Sequence, residues 1–156
     1  MILGFKKGRT ELDSVLGFLA NSALQGSSFC DDVDFFVPVP LHWTRRLVRG
    51  YNQSLVLAKR LKQPTGKINT DLARIRRTKF QTSFDDSKTW EAKRAANVAG
   101  AFAVRYGHNF AGQNLCLVDD IKTTGATLNE CARTLKEAGA SKVFALVLAV
   151  AGQKTA

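Results

Sequence analysis

The stretch Leu115-Cys116-Leu117-Val118-Asp119-Asp120-Ile121-Lys122-Thr123-Thr124-Gly125-Ala126-Thr127 constrains the fold more than any other part of the chain. Four consecutive apolar residues read as a strand buried on both faces, the pattern of a parallel sheet. Two adjacent carboxylates follow, and then a turn of Thr, Thr, Gly, Ala and Thr enters a helix. Thr127 and Glu130 have the spacing of a capping box, and Leu128, Cys131, Ala132, Leu135 and Ala138 share one helical face. Gly139 predicts the end of that helix, and Val143 to Val150 predicts another buried strand. Strand, helix and strand make a βαβ unit, so the expected fold is α/β with a central parallel sheet flanked by helices.

The rest of the chain is consistent with that class. Leu12, Val15, Leu16, Leu19 and Ala20 fall at helical spacing and predict a helix over 11–25. Asp34-Phe35-Phe36-Val37-Pro38-Val39-Pro40 predicts a strand ended by its prolines, and a loop with Arg45, Arg46, Arg49 and Gly50 follows. Asn52 is placed to cap a helix over 53–63, with Leu57, Ala58 and Leu61 facing inward. Residues 74–97 have no clear period and predict a mobile loop with a short helix near 88–96. Ala101 to Val104 predicts a strand, and Gly107 to Gln113 a turn. At 156 residues the whole chain, 1–156, is expected to form a single domain.

The net charge of +10 is localised. Residues 42–94 hold 14 Lys/Arg against four acids, whereas the remainder holds nine of each. That band suits an anionic partner, either the phosphates of a small ligand or a nucleic-acid backbone; the alternative is a solvated basic surface. Cys30, Cys116 and Cys131 lack metal-ligand spacing and read as reduced, structural thiols. The longest apolar run, Phe144 to Ala151, is too short for a span of about 20 residues, so no membrane insertion is expected. Met1 to Lys7 runs apolar then basic, the reverse of a signal peptide, and predicts a cytoplasmic protein.

The turn after the acid pair has the chemistry of a monophosphate cradle. Ligands of open α/β sheets bind at the carboxyl ends of the strands. Gly125 permits close backbone approach, while Thr123, Thr124, Ala126 and Thr127 supply hydroxyls and N–H groups at a helix N-terminus. Neither GxxxxGK[ST] nor GxGxxG is present. Asp119 and Asp120 cannot bind phosphate; their partners would be sugar hydroxyls or a hydrated Mg²⁺. Phosphate in the turn and hydroxyls at the acids together describe a site for ribose 5-phosphate. The alternative is an ordinary connection with both acids as caps, but consecutive charges after an apolar strand are costly unless employed.

This segment resembles the phosphoribosyl pyrophosphate (PRPP) signature of type I phosphoribosyltransferases. Lys122 stands where that family usually has an apolar residue, and would either add charge toward pyrophosphate or point to solvent. Val37-Pro38-Val39-Pro40-Leu41-His42 and Arg49-Gly50-Tyr51-Asn52-Gln53-Ser54 further resemble the ComF-type competence proteins, whose members usually begin with a zinc ribbon that is not recognised here. The resemblance implies a type I phosphoribosyltransferase-like fold. It also implies that Asp119 and Asp120 hold the ribose hydroxyls and, through water, Mg²⁺, and that Thr123 to Thr127 bind the 5-phosphate. Arg46 and Arg49 become candidates for the pyrophosphate side, and Arg77, Gln81 and Arg94 for a flexible loop. Tyr51 either stacks on a base or packs on the sheet, and His42 has no identified partner.

Two functions of different classes follow. One is transfer or sensing of a phosphoribosyl group from PRPP with Mg²⁺, linked by resemblance to competence, DNA uptake and competence-machinery proteins. The other is a non-enzymatic single-stranded DNA-binding accessory of natural transformation. The intact acid pair suits the first and the basic band suits the second. The acceptor nucleophile has no readable signature.

Overall fold

A computed structural model describes residues 13–42, 47–48, 50–62, 66–78 and 88–151. In chain order the elements are α1 (Asp13–Gln25), β1 (Phe35–Pro38), α2 (Gln53–Ala58), β2 (Lys67–Ile68), β3 (Leu72–Arg74), α3 (Lys88–Val98), β4 (Phe102–Val104), β5 (Asn114–Lys122), α4 (Ala126–Glu137) and β6 (Lys142–Val150). Four strands form a parallel sheet in the order β2-β1-β5-β6, and β3 and β4 pair antiparallel in a separate two-stranded sheet. The expected α/β fold with a central parallel sheet is thus the observed one.

Period-2 alternation along the central strands sorts the core into two layers. Val37, Leu115 and Leu117 pack on one side with Leu128, Cys131 and Leu135 of α4 and with Leu72 and Phe102 of the β3–β4 pair. Phe36, Cys116 and Val118 pack on the other with Leu16, Ala20 and Leu24 of α1 and Leu57 and Ala58 of α2. Burying the Cys116 thiol raises its pKa to about 12, and burial raises that of Cys131 as well, so both serve as small apolar groups. Gly139, at φ +97, ends α4 in the left-handed conformation its sequence position predicted.

Several expectations are corrected. The strand read as Leu115 to Val118 continues to Lys122, because β6 pairs with it throughout: Asp119 lies opposite Val147 and Lys122 opposite Val150. The acids therefore sit within a strand rather than after one. The helix expected over 53–63 ends at Ala58. Asn21 of α1 captures the chain beyond, donating to the Arg60 carbonyl at 2.6 Å and accepting from the Lys62 N–H at 2.6 Å. On α1 the buried stripe is Leu16, Ala20 and Leu24, while Val15 and Leu19 are exposed. Arg74, expected in the 74–97 loop, belongs instead to β3, while the short helix expected near 88–96 is observed as α3, Lys88–Val98. The segment between, 79–87, lies outside the described residues. Short β2 and β3 carry too few residues for a period to be read and emerge only from their pairing.

Candidate functional site

The parallel sheet sets the carboxyl end of β1 beside the middle of β5, with Pro38 opposite Val118, the residue before the acid pair. Asn52 caps α2 by accepting from the Ser54 N–H at 3.1 Å, and its amide donates to the Val39 carbonyl at 3.1 Å, tying the start of α2 to the end of β1. That anchor sets Ser54 beside the acid pair. The Ser54 hydroxyl donates to Asp119 Oδ1 at 3.0 Å, and the Asp120 N–H donates to the same oxygen at 2.9 Å. Burial, and next the charge of Asp120, push the Asp119 carboxyl up to about 6; the two hydrogen bonds pull the other way. Asp120 is itself only 8% exposed.

The turn after β5 reverses through Gly125 at φ +80, a left-handed conformation that glycine adopts without strain. The predicted capping box does not form. Gly125, which has no side chain to cap with, occupies the N-cap, and Thr127 is the second residue of α4. Thr124 Oγ1 accepts a long bond from the Ala126 N–H, 3.4 Å, and the first intrahelical bond runs from Asn129 N–H to the Gly125 carbonyl at 2.8 Å. The N–H groups of the first turn have no carbonyl inside the helix to meet and define an anion-attracting end. Glu130 is drawn elsewhere. It accepts from the Gly100 N–H at 2.6 Å and pairs with Arg133, which is the larger cause of its lowered pKa.

Two cations stand at this turn. Lys122 folds back over it, with Cε 3.1 Å from where a Cβ on Gly125 would lie. Arg94 of α3 donates to the Thr123 hydroxyl at 2.5 Å. A residue expected in the flexible loop is thereby brought to the turn, because α3 packs beside α4. Arg77 is exposed, His42 is buried and Tyr51 is half-buried. Arg46, Arg49 and Gln81 lie outside the described residues. Within the basic band, Arg74 bonds Thr78 and lies over the Phe102 ring, and Arg76 donates to the carbonyls of Asn97 and Ala99. Arg74 thereby links β3 to β4, and Arg76 ties the chain after β3 to the end of α3.

Ser54 stands in the Arg49–Ser54 motif with no role legible from the sequence alone. Its signal, a hydroxyl two residues past an Asn cap, becomes informative only once β1 and β5 are known to be neighbours. The described residues contain no cluster of three or more His, Cys, Asp or Glu side chains able to hold a metal. None of the helices among them is long and apolar enough to cross a membrane.

The family model for the phosphoribosyl transferase domain matches residues 53–156, the span that carries the acid pair and its turn. The chain belongs to that family. Over 110 residues it is 32% identical to Competence protein F of Haemophilus influenzae, covering 69% of this chain and 46% of that protein. Over 135 residues it is 31% identical to Competence protein ComFC of Bacillus subtilis, covering 85% and 51%. The ComF-type resemblance read from the motifs is therefore matched, and this phosphoribosyl transferase domain protein spans about half the length of the two relatives. Among solved structures, the glutamine PRPP amidotransferase of B. subtilis complexed with ADP and GMP superposes with a TM-score of 0.52 at 18% identity, covering 87% of this chain and 26% of that one. A hypoxanthine phosphoribosyltransferase of Staphylococcus aureus gives 0.50 at 13%, covering 96% and 71%. These likenesses establish the type I phosphoribosyltransferase fold.

Proposed function

We propose that the protein binds PRPP at the end of β5 and transfers or senses its phosphoribosyl group. The observation that carries this is the joining of two complementary half-sites on one turn: a buried acid pair oriented by Ser54, and a glycine-reversed helix start overhung by Lys122. Asp119 and Asp120 accept hydrogen bonds from the ribose 2- and 3-hydroxyls, while Thr123, Thr124, Gly125, Ala126 and Thr127 receive the 5-phosphate. Arg94 holds the Thr123 hydroxyl and adds positive charge beside that phosphate. Arg46 and Arg49 are proposed to face the pyrophosphate, with Arg77 and Gln81 in the covering loop. The single-domain organisation of 1–156 and a cytoplasmic location belong to the same proposal.

Mg²⁺ suits this donor set. Two adjacent carboxylates, without a third ligand of the kind in reach among the described residues, match an ion that keeps most of its waters and takes one or two carboxylates beside substrate phosphates. When bound, it would neutralise charge on the diphosphate. The chain's own part is to hold the sugar by its hydroxyls, fix the phosphate, and exclude water from the electron-poor anomeric carbon as pyrophosphate departs.

The names of the relatives suggest a role in competence, hence the proposal that this chemistry serves DNA uptake together with other competence proteins. Direct binding of single-stranded DNA is the second reading. It rests on the exposed cations Lys59, Lys62, Lys67, Arg77 and Lys93, since Arg74 and Arg76 are committed to internal contacts.

Calorimetric titration with PRPP and Mg²⁺, with ribose 5-phosphate and with sulfate tests the first reading. Asp120→Asn removes a charged acceptor worth about 1.5–3 kcal/mol, so PRPP affinity should fall roughly 10- to 150-fold. Unchanged affinity in the Asp119→Asn, Asp120→Asn double variant sinks the assignment. Retention of single-stranded DNA at low salt by a variant that has lost PRPP would favour the second reading.

A further inference from the structure

The central sheet ends at β6, which pairs with β5 along one side and with no described strand along the other. Edge strands of natural proteins are blunted by charge, proline or brevity. Residues 143–150 have none of these: they are eight consecutive apolar residues without Gly or Pro. Lys142, the one charge of the strand, pairs with Asp32 at 3.6 Å. Phe144, Leu146 and Leu148 lie on the α1 face of the sheet, and Val143 and Val147 on the α4 face. All but Leu146 stay partly exposed.

The helix flank above this edge is also apolar and open. On α1, Gly17 and Asn21 face the chain that leaves α2: a Cβ on Gly17 would lie 2.8 Å from Arg60 Cβ, and Asn21 bonds the Arg60 carbonyl. At about 100° per residue, Val15 and Leu19 point to the opposite flank. Since α2 packs over β1 and β5 and α1 over β6, that flank overhangs the unpaired edge. Val15 is 47% and Leu19 43% exposed, although their spacing predicts burial.

We propose that β6 pairs antiparallel with β6 of a second copy of this chain, about a two-fold axis through Leu146, joining the two four-stranded sheets into one. The strand's own pattern selects this occupant. Its nine residues are centred on Leu146, so the pairing uses the full length, roughly 30 Å. Residues opposite one another in an antiparallel pair share a face, so Phe144 meets the partner's Leu148 and Val143 meets the partner's Ala149. Lys142 meets the partner's Val150, which keeps the two lysines at opposite ends, whereas a parallel pairing would set them side by side. The axis crosses the sheet, so both α1 helices lie on one face and turn Val15 and Leu19 toward each other. Each copy carries a net charge of +10, and contact is least opposed where charge is absent: β2, with Lys67 of the basic band, forms the other edge of the sheet. A foreign strand would find no charged side chain along 143–150 by which to be recognised.

Sedimentation equilibrium of the full chain, combined with amide hydrogen exchange, tests this. The expected result is a closed dimer whose dissociation constant falls as salt screens the repulsion between copies. Exchange across residues 143–148 should be slow in the dimer and quicken on dilution to monomer. Ala145→Lys, at an exposed position of β6, and Leu19→Glu on α1 should each weaken the dimer roughly tenfold or more, because each would bury an unpaired charge. A monomer at every concentration overturns the proposal, and slow exchange in that monomer would mean that another segment of the chain covers the edge. Open-ended assemblies in place of a dimer, or a dimer unmoved by both variants, overturn it as well. Unchanged ellipticity reports an intact fold in the variants, and where one folds poorly the concentration dependence of the unsubstituted chain decides.

Discussion

The strand-turn-helix segment 114–137 and a cavity beside it are built on opposite plans. The first is contiguous: β5 carries the acids, Gly125 turns the chain, and α4 follows at once. The second is composite, gathering residues from β1, α2, β3 and the end of β4 that are far apart in sequence. A contiguous site inherits its geometry from local backbone preferences, so its chemistry can be read residue by residue. A composite site exists only after strands have paired, and each wall depends on contacts made elsewhere. In this molecule the cavity hangs on Asn52 at one wall and, at another, on Asp71, whose carbonyl accepts from the Arg105 N–H at 2.8 Å and whose carboxylate pairs with His108 at 3.0 Å.

The sharpest challenge to that contrast is a cut into the layer both regions share. Leu117 is fully buried between β5 and α4, so Leu117→Ala should cost about 2–5 kcal/mol in denaturant titration. The loss should appear as one transition reported alike by the ellipticity and by a probe on the β3–β4 pair. Two separated transitions would mean that the β3–β4 pair folds independently of the central sheet.

Next in size is a pH effect confined to the contiguous site. Asp119 has its carboxyl raised from 3.8 to about 6 in the folded protein. Between those values the folded state keeps a proton that the unfolded state has released, so stability falls as pH rises through this window. The full shift corresponds to at most about 3 kcal/mol, at 1.36 kcal/mol per unit. Asp119→Asn should flatten the dependence between pH 4 and 6, and an unaltered slope would assign it to other groups.

Gly125→Ala should destabilise by about 1–2 kcal/mol, the cost of a left-handed residue with a side chain. Lys122 can move from the added Cβ because its far end is flexible. A thermal shift of that size accompanied by weaker ribose 5-phosphate binding would tie the turn's geometry to the contiguous site, whereas unchanged binding would show that the phosphate does not use it.

The smallest expected effect bridges them. Asn52→Ala removes the α2 cap and the tie to Val39, for about 1 kcal/mol. Because Asn52 positions Ser54, which donates to Asp119, ribose 5-phosphate binding should weaken with it. Unchanged binding would show that Ser54 holds its place without the cap.

The sequence by itself determined the α/β class, the acid pair and its glycine turn, the Asn52 cap and the Gly139 stop, because each depends on residues adjacent or one helical turn apart. Buried strand runs and helical periods are written in the order of side chains. Tertiary structure decided what distant segments do to one another. Pairing with β6 lengthened β5 through the acids, Asn21 holds the chain that leaves α2, and the helix between β3 and β4 carried Arg94 to Thr123. It also turned Thr127 and Glu130 from a capping box into separate parts, since the Gly100 N–H and Arg133 claim the glutamate. The reason is competition: a short strand, a helix end or a charged side chain has several nearly equal local partners, and packing chooses among them.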